Sequence, residues 1–155
     1  MIKIPPYLQK GDTVGLVCPA GYMTLDKVQT CIATLQEWGY KVKIGKTVGG
    51  DSQTYFSGTD EERLNDFQLM LDDDEIKTVL CARGGYGMGR IIDKIDFKKF
   101  KKQPKWIVGY SDITVLHSHL YSNYYISSLH SPMAGAFNEE GFKNEFVLSL
   151  KNALE

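Results

Sequence analysis

The chain has 155 residues, with 18 Lys or Arg against 19 Asp or Glu and a formal net charge of −1. That balance excludes the basic stripe of a nucleic-acid binder, and no apolar run approaches the roughly 20 residues that cross a bilayer. Met1–Pro6 lacks the apolar core and cleavage site of a secretory signal. Cys18, Cys31 and Cys81 are an odd set without metal-ligand spacing, so a reducing, cytoplasmic setting with no disulfide, metal or membrane association is expected.

In chain order, short β-rich runs alternate with helical stretches. Thr13–Cys18 is apolar and β-branched, and Pro19-Ala20-Gly21 ends it. Thr24 or Asp26 can cap a helix in which Val28, Ile32, Leu35 and Trp38 recur at three- and four-residue spacing, with Trp38 placed in the core. After Gly39, Lys41–Ile44 alternates as a second strand. The polar stretch from Gly45 to Gly58 is long for a plain connection and so reads as functional. A helix from Asp60 carries Leu64, Phe67, Met70 and Leu71 on one face and stops at Asp72–Asp74. Thr78–Ala82 is the third strand. Lys98–Lys102 reads as a solvated turn before Pro104 rather than a phosphate site. Trp106–Gly109 is the fourth strand, Asp112 to about Tyr121 a helix, and Ile126–Leu129 a fifth strand. Asn144–Glu155 reads as an amphipathic helix with Phe146, Val147, Leu150 and Leu154, without glycine or proline to stop it, as if the natural polypeptide continued. Near-continuous apolar strands alternating with helices predict an α/β, doubly wound, mainly parallel sheet with helices on both faces, flavodoxin- or Rossmann-like, over one domain, 1–155.

In such a sheet, ligands sit beyond the carboxyl ends of the strands. Three predicted strand ends carry unusual loops: Cys18–Gly21, Arg83–Gly89 and Gly109–Asp112. Gly84, Gly85, Gly87 and Gly89 allow backbone N–H groups to approach a substrate oxygen without interference from Cβ. Their spacing is not G-x-G-x-x-G, and the loop follows the third strand, which argues against a dinucleotide. Gly109-Tyr110-Ser111 followed by a helix has the layout of a nucleophile elbow, in which a tight turn lifts the hydroxyl to the sheet edge. Ile113 stands where that motif has its second glycine, and a serine at this place also reads as a helix cap.

Taken together, Ala82–Gly87, Val108–Thr114 and His130–Met133 resemble the LD-carboxypeptidase family of serine peptidases. Lys10–Asp12, Cys18–Gly21 and Ser57–Arg63 extend the resemblance through nearly the whole chain. It implies a cytoplasmic enzyme of cell-wall recycling that removes the terminal D-alanine from a murein tetrapeptide, without metal or organic cofactor, and that forms a homodimer. It further implies Ser111 as nucleophile, the backbone N–H groups of Asp112 and Gly85 as oxyanion hole, and Arg83, Gly84 and Tyr86 near the substrate. The family draws its glutamate and histidine from a C-terminal domain absent from these residues, so the chain alone is expected to be inactive. His117 and His119 follow Ser111 by six and eight residues, roughly 9 and 12 Å along a helix and pointing away from the elbow. His130 ends a strand at the right edge, but the resemblance does not make it the base. Tyr121, Tyr124 and Tyr125 read as a docking surface or as packing, Cys81 as a core residue, and Cys18 as near the pocket. A related branch cleaves aminoacyl-nucleotide antibiotics as an immunity function, and its loop lacks the Arg83–Gly87 form. A binding domain without catalysis is a third reading.

Overall fold

The computed structural model describes residues 1–50, 52–138 and 144–155. Asp51, inside the long polar stretch, lies outside them. The five apolar runs become one all-parallel sheet: β1 (Thr13–Val17), β2 (Lys41–Ile44), β3 (Ile76–Cys81), β4 (Trp106–Gly109) and β5 (Leu129–His130), in the order β2-β1-β3-β4-β5. Leu16 pairs with Ile44 on one side and Leu80 on the other, and Val108 lies between Leu80 and Leu129.

Because side chains alternate along a strand, this register sends successive residues to opposite faces. Leu16, Leu80 and Val108 face one layer, against Cys31 and Leu35 of α1 (Gln29–Glu37) and Val147, Leu150 and Leu154 of α5 (Glu145–Leu154). Val17, Val79, Cys81 and Ile107 face the other. They meet Phe67, Met70 and Leu71 of α2 (Asp60–Asp72), Phe100 of α3 (Lys98–Lys102), and Leu116 and Leu120 of α4 (Thr114–Tyr124). Each such side chain contributes on the order of 1.5–3 kcal/mol when fully buried. The doubly wound expectation is therefore met.

The helix ends follow their local chemistry. Thr59 and Glu62 form a reciprocal capping box at the start of α2. Asn144 Oδ1 accepts the N–H of Phe146 at 2.9 Å, opening α5. Before α1 the chain makes a 3-10 turn, Asp26–Val28, with no side-chain cap, so neither Thr24 nor Asp26 plays that part. Trp38 is buried in the core.

Several expectations need correction. Lys98–Lys102 is a helix, because Phe100 is fully buried and anchors the run against Phe97. The fifth strand is Leu129–His130, displaced from Ile126–Leu129: Tyr125 ends α4 in the left-handed region at φ 54°, and Ile126 forms an isolated bridge with Lys3. Phe146 is 72% exposed and is not part of the buried face of α5. Tyr121 and Tyr125 are exposed and pack edge-to-face on each other, whereas Tyr124 packs on Phe97 and His119.

Lys105 precedes β4 and is 7% exposed, its ammonium donating to the carbonyls of Asp73 at 2.6 Å and Met70 at 3.2 Å. Burial brings its pKa down from 10.5 to about 8. Between those values the unfolded chain binds the proton and the folded chain does not, so this residue's contribution to stability rises with pH. We expect the stability difference between wild type and Lys105→Met to shift in favour of wild type from pH 7.5 to 10, as read by urea denaturation. A difference independent of pH would refute this.

Candidate active site

The strand order reverses between β1 and β3, since β2 lies on one side of β1 and β3 to β5 on the other. A doubly wound sheet opens its crevice at the carboxyl edge of that reversal. The loops after β1, β3 and β4 all leave from this edge.

After β4 the chain runs Gly109-Tyr110-Ser111. Tyr110 is extended at φ −147°, and Ser111 enters the left-handed region at φ 59° before the 3-10 turn Ser111–Ile113 leads into α4. A non-glycine residue there is strained by about 1–3 kcal/mol, the conformation by which an elbow lifts its side chain. Gly109 permits the turn to fold tightly, since a Cβ on it would lie 3.0 Å from two carbons of Ile113. Ser111 is exposed, and its hydroxyl has no hydrogen-bond partner among the described residues. It does not cap the helix; the Tyr110 carbonyl accepts the N–H of Ile113 instead, at 3.2 Å.

The glycine-rich loop lies directly over this elbow. A Cβ on Gly84 would stand 3.4 Å from Ser111 Cβ and 3.5 Å from the Asp112 nitrogen. Gly85 is left-handed at φ 84°, with its open side occupied by the Tyr55 hydroxyl. The N–H groups of Gly85 and Asp112 have no hydrogen-bond partner among the described residues, although buried or partly buried N–H groups are nearly always paired. Arg83 donates to the Tyr22 carbonyl at 2.6 Å and lies over the Tyr55 ring. Tyr86 is exposed and flanks Phe56, 6.1 Å between ring centroids.

Bonds between loops hold the edge together. Gly21 N–H donates to Gly84 O at 2.9 Å, Tyr22 N–H to Tyr55 O at 3.0 Å, and Ser57 N–H to Ala20 O at 3.0 Å. The polar 45–58 stretch thus delivers Tyr55, Phe56 and Ser57 to the site. Arg63, fully buried, donates to Pro19 O at 2.7 Å, Gly87 O at 3.0 Å and Gly58 O at 3.3 Å, and it pairs with Asp60. The Asp112 carboxylate accepts the Met88 N–H at 2.8 Å. Reading the residues for chemistry missed Arg63 and Tyr55. An arginine at i+3 from Asp60 on an otherwise amphipathic helix was the available signal.

Two cavities open beside the elbow. One, of about 560 Å³, is lined by Tyr22, Lys27, Arg83, Tyr110 and Met133. The other, of about 620 Å³, is bounded by Tyr110, His130, Pro132, Phe146 and Leu150. A larger one of about 790 Å³ lies at the opposite, amino edge of the sheet, among Tyr7, Asp12, Lys99 and Lys105, far from these loops.

None of the three histidines hydrogen-bonds to Ser111. His117 is half-buried, with Nε2 2.9 Å from Gly109 O and Nδ1 2.7 Å from Ser128 Oγ. A carbonyl only accepts, so Nε2 carries the proton and the Ser128 hydroxyl donates to Nδ1. Burial lowers the pKa of this ring, keeping it neutral. His119 stacks on Phe97, and the exposed His130 lies against Tyr110, 6.1 Å between ring centroids. Cys18 is wholly buried and burial pushes its thiol up to about 12, so it does not reach the pocket. Among the described residues no group of three His, Cys, Asp or Glu could hold a metal ion.

A family model for the N-terminal domain of LD-carboxypeptidases matches residues 14–131. The chain belongs to the LD-carboxypeptidase family. It is 46% identical over 129 residues to a probable murein peptide carboxypeptidase of Bacillus subtilis, covering 83% of this chain and 40% of that protein. The crystal structure of the muramoyltetrapeptide carboxypeptidase from Oxalobacter formigenes matches with a TM-score of 0.68 at 29% identity, over 79% of this chain and 40% of that one. The apo structure of the microcin C7 self-immunity protein MccF matches with a TM-score of 0.88 at 25% identity, over 97% of this chain and 46% of that one. The MccF sequence from Escherichia coli is 28% identical over 128 residues, 81% of this chain and 37% of that protein. The chain spans less than half the length of each of these relatives. Backbone likeness is greater to MccF and sequence identity greater to the murein enzymes; at such low identity the backbone speaks for the shared fold of this LD-carboxypeptidase domain.

Proposed function

We propose that this chain is the nucleophile-bearing part of a cytoplasmic serine LD-carboxypeptidase that releases D-alanine from murein tetrapeptide. The observation that carries the reading is the exposed, left-handed Ser111 beneath a glycine loop, with the unpaired N–H groups of Gly85 and Asp112 beside it. Ser111 Oγ attacks the carbonyl between the L-centre of the diamino acid and D-alanine. The two N–H groups hold the oxygen as it becomes an anion, the kind of interaction that gains most as charge develops. Collapse expels D-alanine, whose amine takes up a proton, and water then releases the acyl group from Ser111. Gly84, whose missing Cβ lets the loop lie against Ser111 and Asp112, borders the substrate there, and Tyr86 flanks it. Arg83, with Lys27 across the same cavity, supplies positive charge for a free carboxylate.

A serine hydroxyl needs a base to take its proton. His117 has both ring nitrogens engaged and His119 is stacked on Phe97, so we assign the base and its acidic partner to a part of the enzyme outside these residues. The homodimer rests on the family resemblance and is read directly by sedimentation of the full-length protein.

The test is D-alanine release from murein tetrapeptide by the full-length enzyme and by the 155-residue chain. We expect turnover only from the longer protein. Turnover by the chain alone would make His130 or another internal group the base. The backbone likeness to MccF favours one second reading, an immunity peptidase acting on an aminoacyl nucleotide. Hydrolysis of such a compound in place of murein peptide would establish it, and silence toward both would leave a binding domain.

A further inference from the structure

The 57–63 segment and the Asp112 side chain have no part in the chemistry described so far, yet both end on one peptide group. The carbonyl of the Gly87–Met88 peptide is Gly87 O, bound by the buried Arg63 at 3.0 Å. The N–H of the same peptide is Met88 N–H, bound by Asp112 Oδ2 at 2.8 Å. In a trans peptide these two groups point in opposite directions, so this one unit is gripped at both poles. Gly87 sits at φ 154° with its missing Cβ 3.0 Å from Ala20 Cα, so the grip needs a glycine. The Gly84–Gly85 peptide is held at its carbonyl by Gly21 N–H, which turns the Gly85 N–H the other way and leaves it unpaired.

Resting on the proposed reading of the site, we infer that the Asp112 carboxylate and Arg63 are positioning residues. They clamp the Gly87–Met88 peptide and thereby fix the separation between the two oxyanion donors. The coupling is short: Asp112 bears one donor on its own backbone and, through its side chain, holds the loop that bears the other. Moving the Gly87–Met88 end of the loop away from Asp112 would separate the two donors.

The test uses the full-length enzyme with Asp112→Ala and Asp112→Asn, since Arg63 variants are expected to compromise folding. Asp112→Ala removes the acceptor of the Met88 N–H while keeping its own backbone N–H. We expect kcat for murein tetrapeptide to fall about 100-fold with KM unchanged, the size of effect seen when an oxyanion donor is lost. Affinity for a peptide boronic acid, a tetrahedral mimic, should fall by the same factor. Asp112→Asn, whose amide oxygen still accepts, should restore most of kcat. Amide hydrogen exchange reads the clamp without any activity: the Met88 N–H should exchange about tenfold faster in Asp112→Ala, with the amides of β3 and β4 unaltered. Unchanged Met88 exchange, a loss in KM alone, or an Asn variant as impaired as Ala would overturn the inference. Turnover by Ser111→Ala would instead overturn the reading of the site, and the exchange measurement would still decide the clamp.

Discussion

Replacing Ser111 by alanine in the full-length enzyme is expected to lower turnover of murein tetrapeptide by roughly 10⁴-fold or more, the scale on which nucleophile removal acts in serine peptidases. Folding should scarcely change. The hydroxyl has no hydrogen-bond partner among the described residues and is exposed, and alanine occupies the φ of 59° no more easily than serine does. A change in stability within about 0.5 kcal/mol follows, as for surface substitutions generally. The pairing of a large kinetic effect with a small thermal one separates a nucleophile from a cap, because loss of a cap costs about 1 kcal/mol of stability and leaves chemistry in place. Turnover within tenfold of wild type would remove Ser111 from the role.

Arg63→Met should do the opposite, acting first on folding. The guanidinium is wholly buried and satisfies carbonyls from three segments, Pro19, Gly58 and Gly87, besides Asp60. Burial holds its pKa below the ordinary arginine value, yet it stays charged. Methionine fills similar space but takes the guanidinium away from the Pro19 and Gly58 carbonyls, while Gly87 O keeps the Arg90 N–H at 3.1 Å and Asp60 keeps its contact with Arg90 at 2.8 Å. Breaking such a buried network by removing one partner costs about 3–5 kcal/mol. For a domain of this size each kcal/mol moves Tm by roughly 2–4 °C, so thermal denaturation should register a fall of about 10 °C. A shift below about 2 °C would mean that water or neighbouring donors replace the guanidinium. Arg63→Lys should recover only part of the loss, since an ammonium lacks the planar fork that reaches separate acceptors.

Sequence and structure agree where burial follows simple periodicity. Thr13–Val17 and Trp106–Gly109 are apolar on both faces, as a strand covered on both sides requires, and the face of α2 from Phe67 to Leu71 was visible at helical spacing. The fold class follows from that alternation. Short elements were less legible. One buried residue, Phe100, anchors a lysine-rich run as α3, and β5 is two residues long while Ile126, expected in it, bridges to Lys3. At the candidate site, the loop pair around Gly85 and Ser111 could be picked out because glycines and a strand–turn–helix boundary leave a local trace. Bonds across long sequence separations leave none. Arg63 with Gly87, Asp112 with Met88, and His117 back to Gly109 are consequences of which strand ends meet, and meeting is decided by topology.

The left-handed backbone at Ser111 also limits which chemistries can be exchanged there. Threonine carries the same hydroxyl and serves other hydrolases as a nucleophile, but its branched Cβ is a steric outlier at positive φ. Cysteine, unbranched, meets no such bar. Substitution at this elbow is therefore filtered by the shape of the main chain before reactivity is ever tested, and a lineage built on it can drift toward a thiol more readily than toward a secondary alcohol.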